Sequence, residues 1–296
     1  MGGNSQKWFY LVVLSIIWGS SFILIKKGLQ GLTPIQVGSL RIVFAGIFLL
    51  LIGTPKLKKV PKEKWKWIAL SGLLGSFFPP FLFAIAQTQI DSGVASILNS
   101  LTPLNTLVFG LLFFGITVTS RQTWGLLIGF AGTLILVGAG NKLGGGQNYW
   151  YSLYIIAATI GYALNVNLIK RYLGGVGALA ISTANFSLLV LPGLVILYFT
   201  GFFETVFQSA EMQKALLYVA VLAVFGTAIA LVLFNRMVQI AGPIFASSVT
   251  YTMPLLAIFW GIVDGEKLNF FQLFGGAVIL VGVYLANWRK KEKRAL

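Results

Sequence analysis

The feature that most constrains this chain is a series of long hydrophobic runs that continues from one end to the other. Each run has about 18 to 25 residues, and about 20 apolar residues is what an α-helix needs to cross a bilayer. Transmembrane β-barrels show shorter, alternating segments instead. The pattern predicts an all-α integral membrane protein with ten transmembrane helices. They cover residues 8–26, 34–54, 66–87, 92–116, 122–140, 150–169, 177–200, 214–235, 241–263 and 270–288.

Composition argues against several classes of protein. Hydrophobic residues make up 57% of the 296 residues and charged residues only 10%, which no soluble domain of this size would show. The chain has no cysteine, no histidine and no acidic residue in the middle of a run, so clustered metal ligands and acid–base pairs are not expected. A GxxxxGK[ST] phosphate loop is also absent. We therefore predict no enzyme activity, no catalytic residue, no metal and no cofactor.

The charges predict the orientation of the chain. The 22 lysines and arginines outnumber the 7 acids and give a formal net charge of +15. With the N-terminus in the cytoplasm, most of the cations, including the loop at 56–66 and the tail from Arg289, lie inside. This positive-inside pattern predicts a multi-pass protein of the inner or plasma membrane with both termini cytoplasmic. It favours the lipid bilayer over nucleic acid as the partner of the basic segments.

The two halves of the chain share a pattern. A shift of 144 residues aligns the first two spans of each half, and a shift of 150 aligns the last two. The aligned pairs include Trp18 with Tyr162, Ser21 with Asn165, Arg41 with Asn185, Gly125 with Gly275 and Gly132 with Gly282. Five spans is an odd number, so the repeats are expected to be inverted, an arrangement typical of secondary transporters. The glycine-rich residues 141–148 divide a first repeat, 1–145, from a second, 146–296.

Two of the runs carry a stripe of small and polar residues around a proline. The stripes are Ser96, Asn99, Pro103, Thr106 and Gly110, and, 151 residues later, Ser247, Thr250, Pro254, Ala257 and Gly261. Their spacing places each stripe on one helix face. At about 1.5 Å per residue, Pro103 lies roughly 15 Å deep, near the midplane. The stripes predict two halves of one site, where each proline frees a carbonyl for substrate, acts as a hinge, or forms a static kink.

The candidate substrate-binding residues have polar or aromatic side chains and lie within the predicted spans, most of them near the middle of the membrane. They are Trp18, Ser21, Arg41, Asn99, Thr102, Tyr162, Asn165, Asn185, Ser248 and Tyr251. Arg41 is the one charge well inside a span, and such a charge is a functional hypothesis by default. It can attract a substrate carboxylate, pair with Asp91 or brace helices. The hydroxyl and amide groups either line a wet cavity or join helices.

Several motifs together resemble the EamA-like branch of the drug/metabolite transporter superfamily. They are Trp18-Gly19-Ser20-Ser21, Thr33-Pro34 followed by Arg41, the run 93–103, and Tyr251-Thr252-Met253-Pro254 through Gly265-Glu266 to Gln272-Leu273-Phe274-Gly275. The resemblance implies a ten-helix transporter with a cavity between its halves, in a family whose members export amino acids or related metabolites. Gly115-Ile116 departs from it, because such proteins often carry Gly-Glu after both proline helices.

The sequence thus predicts a secondary transporter that works by alternating access. Its small-molecule substrates are predicted to be amino acids, which it exports. The alternatives are an uncoupled channel-like facilitator, an exporter of nucleosides, drugs or lipid-like molecules, and a non-transporting scaffold. Proton-driven carriers place a carboxylate or histidine in their pathway. Because Asp91, Asp264 and Glu266 lie near the predicted outer surface, facilitated diffusion or exchange is favoured over proton coupling. Both a monomer and a homodimer fit the sequence.

Overall fold

The structure is a computed structural model that describes residues 3–115, 119–143, 148–205 and 209–287. These ranges contain fifteen α-helices and no strand. The helices of the first half are α1 (Gly3–Gly28), α2 (Pro34–Leu57), α3 (Trp65–Gly72), α4 (Phe78–Ala86), α5 (Ser92–Asn99), α6 (Thr102–Phe114) and α7 (Ser120–Leu143). Those of the second half are α8 (Ser152–Tyr172), α9 (Ala178–Phe199), α10 (Phe202–Thr205), α11 (Ala210–Val221), α12 (Ala230–Ala241), α13 (Pro243–Ser247), α14 (Met253–Val263) and α15 (Phe270–Asn287).

Eight helical stretches of the described residues are long and apolar enough to cross a membrane. Several of them join two of the shorter helices end to end. Together with the apolar surface that they expose, these stretches confirm the prediction of an all-helical, multi-pass membrane protein. The bounds agree with the predicted runs to within a few residues in most cases. The largest extension is that of α12, which continues to Ala241 because its polar Arg236 and Gln239 end the hydrophobic run but not the helix.

Two long stretches contain a π-helical segment. Leu73–Phe77 joins α3 to α4, and Leu222–Ile229 joins α11 to α12. The first segment has an evident cause, because α4 opens with Pro79 and Pro80, which lack the N–H groups that would bond to carbonyls four residues earlier. A π-helical turn widens the helix locally and is frequent at functional sites.

Two other stretches are broken ahead of a proline. α5 ends at Asn99 and α6 begins at Thr102, whereas α13 and α14 are separated by the 3₁₀ turn Ser248–Tyr251. The prolines therefore occupy the first turns of α6 and α14. Proline is well accommodated there, because the N–H that it lacks has no partner in the first turn of a helix.

Helices α7 and α15 pack along each other and run antiparallel. A Cβ added at Gly125 would lie 2.5 Å from the carbonyl oxygen of Gly282, and one at Gly132 would lie 2.9 Å from that of Gly275. Any side chain at these positions would overlap the facing backbone. The glycines therefore serve close helix contact within the chain, one of the two interpretations of the sequence pattern.

Candidate functional site

A cavity of about 110 Å³ lies among helices of both halves. Its lining residues come from α1, α2, α4, α5, α6, α8, α12, α13, α14 and the segments that join them. They are Trp18, Ser21, Phe22, Ile25, Arg41, Gly75, Ser76, Pro80, Phe83, Asn99, Thr102, Tyr162, Asn165, Val166, Gly226, Thr227, Leu231, Phe234, Ser247, Thr250 and Met253. Much of the wall is aromatic or aliphatic, with a small number of polar groups, which is typical of a small-molecule site.

The structure brings together seven of the ten predicted binding residues at this cavity. They are Trp18, Ser21, Arg41, Asn99, Thr102, Tyr162 and Asn165. Two pairs that the sequence shift aligned, Trp18 with Tyr162 and Ser21 with Asn165, thus lie around the same space. Ser247 and Thr250 of the second stripe also contribute to the lining, as Asn99 of the first stripe does.

Asn185, Ser248 and Tyr251 do not line the cavity. Asn185 lies behind it, where its Nδ2 donates to Ser71 Oγ at 3.5 Å, and Ser71 Oγ donates in turn to Asn165 Oδ1 at 2.6 Å. Ser248 and Tyr251 belong to the 3₁₀ turn. A 3₁₀ turn has three residues per turn instead of 3.6, and of its side chains Thr250 lines the cavity whereas Ser248 and Tyr251 do not.

Arg41 contributes a charge that no carboxylate among the described residues neutralises. The residue is 7% exposed, and its Nη2 donates to Thr227 Oγ1 at 3.3 Å. Its buried Nε has no hydrogen-bond partner in the part of the chain that the structure describes. No aspartate or glutamate among the described residues forms an ion pair with it, so the predicted alternative of pairing with Asp91 is not realised. Arg41 is thus the source of a positive charge at the cavity wall.

The sequence analysis missed Gly75, Ser76, Gly226 and Thr227, which line the cavity from the two π-helical segments. A Cβ at Gly75 would lie 2.1 Å from Asn165 Nδ2, so glycine is what lets Asn165 reach its place. The Gly226 carbonyl accepts a hydrogen bond from Trp18 Nε1 at 2.8 Å. The sequence did contain a signal for these four residues. The shift of 151 residues that relates the two stripes also aligns Gly75-Ser76 with Gly226-Thr227.

The carbonyls that Pro103 and Pro254 leave without a helical N–H are already satisfied. The Asn99 carbonyl accepts from Thr102 Oγ1 at 2.8 Å, and the Thr250 carbonyl accepts from Ser100 Oγ at 2.8 Å. The second bond joins the two helix breaks across the halves of the chain. Each carbonyl thus already has one partner in the protein, and the helix is broken on the N-terminal side of both prolines.

An ion-pair cluster lies beyond the cavity, at the C-terminal end of α1. Lys26 Nζ lies 3.0 Å from Asp264 Oδ2 and 2.9 Å from Glu266 Oε1, and Lys27 also pairs with Asp264. Burial raises the pKa of the Asp264 carboxyl, but its bonds with Lys27 and Lys26 outweigh burial, and the pKa lies below its ordinary value.

Glu266 ties this cluster to the start of α5. Its side chain is 2% exposed, and its carboxylate accepts from the backbone N–H groups of Ser92 at 3.0 Å and Gly93 at 3.3 Å. A carboxylate at a helix N-terminus satisfies unpaired donors and complements the helix dipole. Glu266 is buried within the protein, with α1, α5 and the segment after α14 held around it.

Fold and cavity together define a multi-pass α-helical membrane protein with a cavity that is lined by residues from both halves of the chain. The sequence profile of the EamA-like transporter family matches residues 7–138 and again residues 149–288. The chain therefore belongs to the EamA-like transporter family, as its motifs indicated, and the drug/metabolite transporter superfamily is supported.

Relatives extend the match over nearly the whole chain. The uncharacterized inner membrane transporter YedA of Escherichia coli K12 is 29% identical, over 95% of this chain and 90% of its own length. A transporter of Chlamydia trachomatis named for S-adenosylmethionine and S-adenosylhomocysteine is 24% identical, over 94% of this chain and 88% of its own length. A solved crystal structure superimposes with a TM-score of 0.65 at 19% identity, covering 96% of each chain, which shows the shared fold.

Proposed function

We propose that this protein is a secondary transporter that exports amino acids across the inner membrane by alternating access. The observation that carries the proposal is the cavity, because side chains at equivalent positions of the two halves meet there. Trp18 and Tyr162 are one such pair, and Ser21 and Asn165 are another. Exchange of conformation between two similar halves around such a site would open it to one side of the membrane and then to the other.

Further observations support ten helices arranged as two inverted repeats. The family profile matches the chain twice. Gly125 faces Gly282, and the equivalent Gly275 faces Gly132, as a two-fold axis would require. In a chain of inverted repeats this axis lies in the membrane plane, so equivalent helices run antiparallel, as α7 and α15 do. Counted with the eight apolar stretches, α7 and α15 complete five spans in each half.

The chemistry of the cavity supports amino acids as substrates and weak or no proton coupling. Arg41 offers a partner for a carboxylate, while hydroxyl and amide groups and carbonyls offer partners for an ammonium group. None of the described lining residues is acidic. We therefore propose facilitated diffusion or exchange. Pro103 and Pro254, each next to a helix break, are proposed as the hinges of the motion, and the positive-inside pattern supports cytoplasmic termini.

Counterflow in proteoliposomes tests the proposal. Vesicles holding the purified protein are loaded with unlabelled amino acids, and the entry of labelled threonine or phenylalanine is followed with and without a pH gradient. A carrier gives transient, saturable accumulation of the label. A carrier that is not coupled to protons gives the same accumulation with and without the pH gradient. Flux that does not saturate and shows no counterflow would favour a channel-like facilitator. Counterflow that is seen only with nucleosides or drugs would show that these, and not amino acids, are the substrates.

A matched pair of variants places the site. Asn99→Leu with Asn165→Leu removes two amides from the cavity, whereas Ser187→Ala removes a hydroxyl that bonds only within α9, to the Ala184 carbonyl at 2.8 Å. We expect the double variant to lose counterflow and the control to keep it, at equal yields of folded protein. Unchanged flux in the double variant would move the substrate site elsewhere.

A further inference from the structure

The charges around the cavity are one-sided. Arg41 is the one charged side chain among the described residues that line it. Its equivalent in the second half, Asn185, is neutral and lies behind the wall, so the asymmetry is intrinsic to the site. A ligand with an acidic group would find a counter-ion here, whereas a cationic ligand would find none.

The hydrogen bonding of Arg41 is incomplete. A guanidinium has five N–H donors in a planar fork. The Thr227 hydroxyl accepts one of them at 3.3 Å, and the buried Nε finds no acceptor among the described residues. A buried charge without a partner is costly, and a carboxylate in the cavity can accept from the terminal N–H groups of the fork and supply the counter-charge. A carboxylate on the ligand would both accept hydrogen bonds from the guanidinium and neutralise its charge.

The rest of the wall describes the remainder of the ligand. Trp18, Phe22, Phe83, Tyr162 and Phe234 surround the space with aromatic surface, which suits an apolar or aromatic body. The lining offers hydroxyls and amides, but no carboxylate to pair with an ammonium. The amino group of an amino acid would therefore contribute less to binding than its carboxylate.

We propose that the cavity selects its substrates by an acidic group, held by Arg41, on a largely apolar body, and that it does not require an ammonium group. The inference rests on the proposed transport function for its setting, but it makes a separate claim. It extends the substrate class from amino acids to organic acids that lack the amino group. It also excludes cations of the same shape.

Three probes of one shape separate the charges. At about pH 6, L-phenylalanine is a zwitterion, 3-phenylpropionate carries the carboxylate alone, and L-phenylalaninamide is a cation. Their binding to the full-length protein in detergent is measured from the shift of the thermal unfolding midpoint with probe concentration. Their transport is measured separately, by competition in counterflow. The binding assay does not depend on turnover, so the site and the transport function are tested independently.

The variants are Arg41→Met, Arg41→Lys and a matched control, Arg171→Met. Arg171 lies at the end of α8, away from the cavity lining, where its Nη1 donates to the Phe114 carbonyl at 3.1 Å. Arg41→Met should fold, because it removes an unpaired buried charge and not one half of an ion pair. Its unfolding midpoint without probe checks this point. Arg41→Lys keeps the charge but loses the bidentate fork.

We expect both acids to bind the wild type and Arg171→Met, and phenylalaninamide to bind neither. Arg41→Met should lose at least about tenfold in affinity for both acids, with Arg41→Lys in between. Equal affinity of the amide, unchanged affinity in Arg41→Met, or no binding of either acid would each overturn the proposal. If 3-phenylpropionate binds through Arg41 but no amino acid shows counterflow, the acid site stands and the transport proposal fails. If counterflow is seen but does not change in Arg41→Met, the transport proposal stands and the acid site at Arg41 fails.

Discussion

At the scale of the residue, Gly75 is where a single methyl group is expected to reshape the site. A Cβ there would lie 2.1 Å from Asn165 Nδ2 and 2.7 Å from its Cγ, and Asn165 is fixed by its bond from Ser71. Gly75→Ala should displace Asn165 from the cavity wall. A broken buried hydrogen bond costs about 1–3 kcal/mol, so we expect roughly a five- to hundredfold loss in substrate affinity, measured as competition in counterflow.

The control for this prediction is Gly177→Ala. A Cβ at Gly177 would meet no heavy atom within 4 Å, and the residue lies outside the cavity lining, immediately before α9. The same chemical change should therefore leave transport intact, with a loss of stability of about 1 kcal/mol because alanine is a poorer N-cap than glycine. Equal losses in both variants would mean that Gly75 matters for backbone freedom and not for the position of Asn165.

Asp264 is expected to give the ion-pair cluster a defined pH dependence. Its pKa in the folded protein lies below the ordinary value, so its contribution to stability is fully present above about pH 4 and is lost as pH falls through the lowered folded pKa. Asp264→Asn should lower the unfolding midpoint by about 2 °C, for about 1 kcal/mol. The deficit should be constant between about pH 5 and 8 and should shrink in stronger acid.

Glu63→Gln serves as the control for this measurement, because Glu63 is an exposed carboxylate of the turn Lys62–Lys64, remote from the cluster. Its midpoint should follow that of the wild type at every pH. A deficit in Asp264→Asn that grew in acid would contradict the assigned direction of the pKa shift.

At the scale of the element, the two helix breaks are expected to depend on each other. Ser100 lies in the break between α5 and α6, and its Oγ donates to the Thr250 carbonyl in the other break at 2.8 Å. Ser100→Ala would leave that buried carbonyl without this partner, at a cost of about 1–3 kcal/mol. Thermal unfolding in detergent should show the loss. The control Ser187→Ala should be nearly neutral, since the Ala184 carbonyl already lies within a continuous helix.

The elements also show what the sequence could and could not predict. Long apolar runs predicted the helical stretches, because crossing a bilayer fixes their length. Hydropathy does not report the number of residues per turn, so the π-helical segments and the 3₁₀ turn were not foreseen. The consequence appears at the site. Asn99 precedes its helix break and lines the cavity, whereas within the 3₁₀ turn Thr250 lines it and the predicted Ser248 and Tyr251 do not.

The cavity lining shows a second limit of sequence reasoning. Trp18, Tyr162 and Arg41 were recognised because such side chains are unusual in the middle of an apolar span. Phe83 and Phe234 could not be distinguished from core residues, because an aromatic side chain suits a ligand wall and a packed interior equally. The partner of a polar side chain was also hidden, since Asn185 turns out to support Asn165 through Ser71.

At the scale of the whole molecule, the inverted arrangement predicts that equivalent loops of the two halves lie on opposite sides of the membrane. Lys59 follows the second span of the first half, and Glu211 precedes the third span of the second half; both are exposed. The chain has no cysteine, so a single one can be introduced without background. In intact cells opened only at the outer membrane, an impermeant maleimide should label Glu211→Cys but not Lys59→Cys.

A second pair of loops makes the topology test independent of any single position. Gln30 follows the first span of the first half and Gly177 the first span of the second, so Gln30→Cys should label from outside and Gly177→Cys only after the membrane is disrupted. An odd number of spans per half forces this alternation, because each repeat must begin on the side opposite to its copy. Labelling of equivalent loops from the same side would rule out inverted repeats and, with them, the exchange of conformations on which alternating access depends here. Labelling from opposite sides would leave α7 and α15 as the spans that complete each half.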